Sequence, residues 1–110
     1  MKTFGEVIAE LRKERGLTQK ALAARLKKKD GTTLGTAYIN DIEHDRRGPP
    51  AEEFVRQLAE VLETPLEVLQ FYAGRLPAET QDERRKDPSQ EQIVAAYRAF
   101  RKELQTKKGG

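Results

Sequence analysis

The chain has no cysteine and a single histidine among its 110 residues. Without cysteine there is no disulfide, no thiolate metal site and no cysteine nucleophile. With His44 as the only imidazole, neither a histidine-based metal centre nor a triad is expected, and no cofactor is expected. No apolar run approaches the ~18 residues that a membrane span requires. No secretory leader precedes the first helical pattern. The expectation is a cytoplasmic protein with no membrane association. Internal repeats, low-complexity tracts and alternating strand patterns are also missing.

What the chain has is charge, unevenly placed. Lysine, arginine, aspartate and glutamate make up 35% of it, yet the net charge is only +3. Residues 1–50 carry eleven basic and seven acidic side chains. Residues 51–80 carry two and six, and residues 81–110 carry eight and five. A basic first half followed by an acidic segment is the distribution expected when one face approaches phosphates.

The apolar spacing predicts an all-α chain. Phe4, Val7, Ile8 and Leu11 recur at helical steps and mark a first helix from Thr3 or Phe4 to Arg15. Glu6, Glu10, Arg12, Lys13 and Glu14 fall on its solvated face, and Gly16 suits its C-terminal cap. Thr18 is a candidate N-cap for a second helix over 19–26, on which Leu22 and Leu26 share a face. A third helix is expected over 36–44, with Ile39 and Ile42 inward. A fourth spans 51–62, with Glu52 and Glu53 in the first turn, where the helix dipole favours them. Thr64 and Pro65 read as N-cap and first residue of a fifth, closed by Leu66, Leu69, Phe71 and Tyr72. Residues 76–88 are polar and read as a linker. Ser89 and Gln92 have the spacing of a capping box and open a last helix over 89–105, with 106–110 frayed.

The second and third helices carry the functional signal. Leu17-Thr18-Gln19-Lys20-Ala21-Leu22-Ala23-Ala24-Arg25-Leu26 precedes Thr36-Ala37-Tyr38-Ile39-Asn40-Asp41-Ile42-Glu43. Ala23 is small enough for a close helix crossing. The polar side chains of the later helix would face outward, in a shape that fits a DNA major groove. Order and spacing resemble the helix-turn-helix of the phage-repressor/Cro-like family, also called the XRE family, over about residues 4–72. The resemblance rests on Arg15-Gly16-Leu17, Thr18-Gln19, Leu22-Ala23, Ile39-x-x-Ile42-Glu43, Arg46-Arg47 and Pro49-Pro50.

It implies a five-helix repressor-like domain over residues 1–75, joined by the 76–88 linker to an added amphipathic helix. It also implies sequence-specific binding of double-stranded DNA as a homodimer, in transcriptional regulation and repression above all. Two-fold related copies of the third helix would lie about one turn, roughly 34 Å, apart. A second reading, of a different class, is a protein-interaction module such as an antitoxin or a partner-binding adaptor.

One segment departs from the family. Relatives join the two helices by a short turn, whereas Lys27–Thr33 reads here as an insertion ahead of Leu34, the apolar anchor of that turn. Asp30-Gly31 predicts a small projecting hairpin or loop. Lys27, Lys28 and Lys29 on it suit phosphate contact better than base reading, because an ammonium is a flexible point charge.

The remaining candidates are placed by the resemblance. Gln19, opening the second helix, would touch the DNA backbone, and Arg46 and Arg47 would lie along it. Thr36, Ala37, Tyr38 and Asn40 would enter the groove, where Asn40 could pair bidentately with adenine and the methyls of Thr36 and Ala37 could meet thymine. Asp41 is repelled by phosphates and could pair with a neighbouring cation. Glu43 is assigned a structural task, with Arg12 or Arg15 as partner. Ile93, Tyr97, Phe100 and Leu104 form an apolar stripe on the last helix. It either dimerises with a second copy or folds back onto the domain; dimerisation is the favoured reading. Asp41 with Asp45, or Glu52 with Glu53, would be catalytic pairs only with a cleft, a nucleophile or a metal set nearby, and the sequence offers none, so no enzyme is expected.

Overall fold

The computed structural model describes residues 1–75 and 88–109, without the side chains of Phe100 and residues 103–109. The expected linker lies outside the described residues except for Pro88. Six helices are described: α1 Phe4–Glu14, α2 Gln19–Ala24, α3 Thr36–Glu43, α4 Glu52–Val61, α5 Leu66–Tyr72 and α6 Gln90–Gly109. Among the described residues no helix is long and apolar enough to cross a membrane.

Local chemistry explains three of the six described helix starts. Thr3 and Glu6 form a reciprocal capping box on α1: the Glu6 amide donates to Thr3 Oγ1, and the Thr3 amide to Glu6 Oε1, both at 3.1 Å. This satisfies donors that the first turn would otherwise leave open. Thr18 caps α2 by accepting from the Ala21 amide at 3.0 Å. Ser89 and Gln92 repeat the box on α6, at 3.1 and 2.9 Å. Gly16 follows α1 with φ +67°, a conformation that costs glycine little.

Several boundaries differ from the sequence expectation. Helix α2 stops at Ala24, because Leu26 leaves the helix and its carbonyl accepts from Leu34 N at 3.1 Å. Thr64 does not cap α5: its hydroxyl is buried and donates to Leu62 O at 3.2 Å, and Pro65 takes the cap position. Helix α6 continues past residue 105 to Gly109, since no proline or glycine interrupts Thr106-Lys107-Lys108. Arg12 leaves the solvated face of α1 and is largely buried.

The core is one apolar cluster. Phe4, Val7, Ile8 and Leu11 of α1 meet Leu22, Ala23, Ile39 and Ile42 of α2 and α3, with Val55, Leu58, Val68, Leu69 and Phe71 behind them. Each fully buried Leu, Ile, Val or Phe contributes roughly 1.5–3 kcal/mol relative to exposure. Ile93 of α6 is buried in the same cluster, and Val94 and Tyr97 pack against it. An ion pair from Arg98 to Glu67, at 3.6 Å, also joins α6 to α5.

Two contacts set the pose of α3. Gly5 lies so close to its C-terminal end that a Cβ there would strike the carbonyl oxygens of Ile42 and Glu43. Asp45, in a left-handed conformation at φ +57°, accepts from Thr3 Oγ1 at 2.7 Å and from Gly5 N at 3.3 Å. The end of α3 is thereby joined to the start of α1.

Candidate nucleic-acid interface

A chain of polar contacts runs from α1 across α2 to α3 and the loop beyond. Arg12 grips Glu43 at two points, Nε to Oε2 at 2.6 Å and Nη2 to Oε1 at 3.0 Å. Its third arm, Nη1, donates to Leu17 O at 2.8 Å. The Glu43 carboxylate, hydrogen-bonded to the guanidinium, raises the pKa of Arg12 further above its ordinary value. Gln19 Nε2 donates to Glu43 Oε1 at 2.9 Å, and Gln19 Oε1 accepts from Asn40 Nδ2 at 3.3 Å. Asn40 Oδ1 accepts from Arg46 Nη1 at 3.0 Å, and the same nitrogen reaches Asp41 Oδ1 at 3.3 Å.

The two ends of this chain orient everything between them. A carboxylate only accepts, so Gln19 must turn its amide nitrogen to Glu43 and its oxygen to Asn40. A guanidinium only donates, so Asn40 must turn its oxygen to Arg46. Both amides are thereby held in one rotamer and one orientation.

The expected site residues separate into groups. Thr36 and Ala37 open α3 and are exposed. Gln19 and Asn40 are half-buried and hydrogen-bonded to each other. Tyr38 is half-buried, packs on the core and carries the Arg47 guanidinium 4.7 Å from its ring centroid, a cation–π contact. Arg46 and Arg47 therefore diverge, one over the polar face of α3 and the other over Tyr38. Glu43 is paired with Arg12, whereas Arg15 donates to Leu62 O and Glu63 O at the end of α4.

The Lys27–Thr33 insertion is a hairpin. Lys27 and Thr33 form an antiparallel bridge, and Lys28 N donates to Thr32 O at 2.8 Å. Gly31 turns at φ +87°. Asp30 Oδ1 accepts from both the amide and the hydroxyl of Thr32, at 2.9 and 2.6 Å, which lowers the Asp30 pKa. Lys27, Lys28 and Lys29 are exposed. At the hairpin base, Gln57 of α4 accepts from Lys27 N at 2.8 Å and donates to Lys27 O at 3.0 Å. That two-point clamp sets the hairpin's direction.

Of the expected dimerisation stripe, Ile93 is buried in the chain's own core and Tyr97 is half-buried against it. The side chains of Phe100 and Leu104 lie outside the described residues.

Sequence reading missed Gln57, Asp45 and Gly5, because each acts on a segment far away in the chain. The Thr3–Glu6 box was also missed, although its spacing is legible.

A sequence model of a helix-turn-helix domain matches residues 3–70. Two proteins of Bacillus subtilis (strain 168) are similar. One is an uncharacterized HTH-type transcriptional regulator, RghRB, 31% identical over 97 residues, a match covering 88% of this chain and 66% of RghRB. The other is the HTH-type transcriptional repressor RghR, 38% identical over 74 residues, covering 67% of this chain and 50% of RghR. The chain thus spans between half and just under two thirds of the length of these relatives. Among solved structures, a SinR protein/SinI protein complex contains a chain that matches with a TM-score of 0.53. That match covers 98% of this chain and all of the other at 21% identity, a likeness of fold.

Proposed function

The chain belongs to the helix-turn-helix family of phage-repressor/Cro-like proteins, and we propose that it binds double-stranded DNA as a homodimer and represses transcription. The observation that carries this reading is the hydrogen-bonded series Gln19–Asn40–Arg46 across the α2–α3 motif, with Thr36 and Ala37 one turn before Asn40 on α3 and the lysine hairpin preceding that helix in the chain. Exposed Thr36 and Ala37 at the start of α3 suit base contacts in the major groove. Lys27, Lys28, Lys29 and Arg47 suit phosphates, which fix register and much of the affinity. Repression is supported by the name of RghR. Dimerisation would use the part of α6 that follows Arg98, which carries Phe100 and Leu104 of the apolar stripe. The proposed role is binding, with no chemical step.

Selection of bound duplexes from a random pool tests the reading. A two-fold symmetric consensus is expected, with half-sites about 10–10.5 base pairs apart. Affinity for it should fall roughly a thousandfold or more between 50 and 200 mM salt. An unenriched pool, or a flat salt response, would refute DNA binding as the function.

A further inference from the structure

Asn40 is the residue of α3 whose chemistry best suits adenine, yet both ends of its amide are engaged inside the protein. Its nitrogen donates to Gln19, and its oxygen accepts from Arg46. Reading adenine bidentately needs that nitrogen and that oxygen together. With one N–H and one lone pair taken, Asn40 has only its second N–H and second lone pair for a base, in the orientation that Gln19 and Arg46 impose.

The same contacts act differently on Arg46. Only Nη1 is engaged, by Asn40 Oδ1 at 3.0 Å and Asp41 Oδ1 at 3.3 Å. Nε and Nη2 have no hydrogen-bond partner among the described residues, and the side chain is 62% exposed. A free arginine side chain samples many rotamers, and ordering it opposes binding. Here Asn40 and Asp41 hold the guanidinium over the polar face of α3 with one donor edge open. That edge presents parallel N–H groups, the pattern that matches O6 and N7 of guanine. Asp41, awkward beside phosphates, gains a task as the charged half of this holder.

We infer that Arg46 is a base-reading residue that selects guanine in the major groove, with Asn40 and Asp41 as its positioning residues. The inference rests on the DNA-binding reading above. It moves specificity from Asn40 to a side chain that the sequence assigned to the backbone. Arg47, over the Tyr38 ring, keeps the backbone role.

The test is random-duplex selection with the full chain and with Arg46→Ala, Arg46→Lys, Asn40→Ala and Asp41→Ala. The parent should enrich guanine at one position per half-site. Arg46→Ala should lose that preference by about 5- to 150-fold against the other bases, leaving the other positions unchanged. Arg46→Lys should lose most of it too, because an ammonium keeps the charge but not the planar fork. Asn40→Ala and Asp41→Ala should weaken the guanine preference without removing an adenine preference elsewhere. Two results would overturn the inference: Arg46→Ala weakening all duplexes alike with Arg46→Lys restoring them, or Asn40→Ala abolishing an adenine while Arg46→Ala leaves the consensus intact. A parent chain that enriches no consensus would instead sink the DNA-binding reading itself, and the inference with it.

Discussion

Arg12 and Glu43, 31 residues apart, meet as a two-point ion pair with the Glu43 side chain 4% exposed and that of Arg12 12%. The pair joins α1 to the C-terminal end of α3 and also holds Gln19 at the start of α2. Removing one partner leaves a largely buried charge uncompensated. Glu43→Ala should therefore cost about 3–5 kcal/mol of folding stability. Replacing both partners by apolar residues of similar volume should cost much less. Urea unfolding of Glu43→Ala and of Arg12→Met/Glu43→Leu makes the comparison; equal losses would mean that the charge is not the cause.

Gly5 answers a different need, space rather than charge. A methyl group there meets the backbone oxygens of Ile42 and Glu43, which cannot rotate away. Gly5→Ala should destabilise by about 1–3 kcal/mol, or abolish folding, although alanine is intrinsically the better helix former. Thermal unfolding decides it, and a stabilised variant would show that the α1–α3 approach is looser than described.

The hairpin separates binding from folding. Lys28→Ala/Lys29→Ala removes two exposed charges and no apolar contact, so unfolding should change by less than about 0.5 kcal/mol. If both lysines meet phosphates, the salt slope of DNA binding should fall by about 2 per protomer. An unchanged slope would mean that the hairpin is a solvated insertion.

Acid should open that hairpin from its turn. The hydrogen bonds from Thr32 lower the Asp30 pKa in the folded state. A lowered carboxylate pKa stabilises above its unfolded value and loses that contribution as pH falls through the folded value. The Thr32 amide, followed by NMR, should keep its hydrogen-bonded shift at neutral pH and lose it only at a pH below the ordinary carboxylate range. Loss well above that range would point to another group.

Ile93 makes α6 part of the core. Ile93→Ala should cost about 2–5 kcal/mol through the cavity it leaves. Sedimentation of the parent chain and of this variant under folded conditions then addresses assembly separately. A dimer that survives Ile93→Ala places the interface on the later part of α6 or elsewhere. An Ile93→Ala chain of unchanged stability would place Ile93 outside the core.

The helices were legible because their determinants are local. Phe4, Val7, Ile8 and Leu11 repeat at the helical period. Thr18 and Ser89 sit where a cap must sit, and Asp30-Gly31 marks the turn of the hairpin. These interactions join residues two to four positions apart, so adjacent letters suffice to read them. The motif order, from Thr18-Gln19 to Ile42-Glu43, was legible for the same reason. The partner of each polar side chain was not. Glu43 had two arginines of identical chemistry within reach, and only the crossing of α1 and α3 puts Arg12 against it and sends Arg15 to the end of α4. Asn40 reads as a free adenine donor–acceptor until Gln19 and Arg46, on other segments, engage both its ends. Ile93 could face a second copy or its own domain with the same periodicity, and only the docking of α6 on α5 buries it. A hydrogen bond or an apolar contact needs its partner within a few ångströms, and between helices that proximity is a property of the packed core rather than of any one segment.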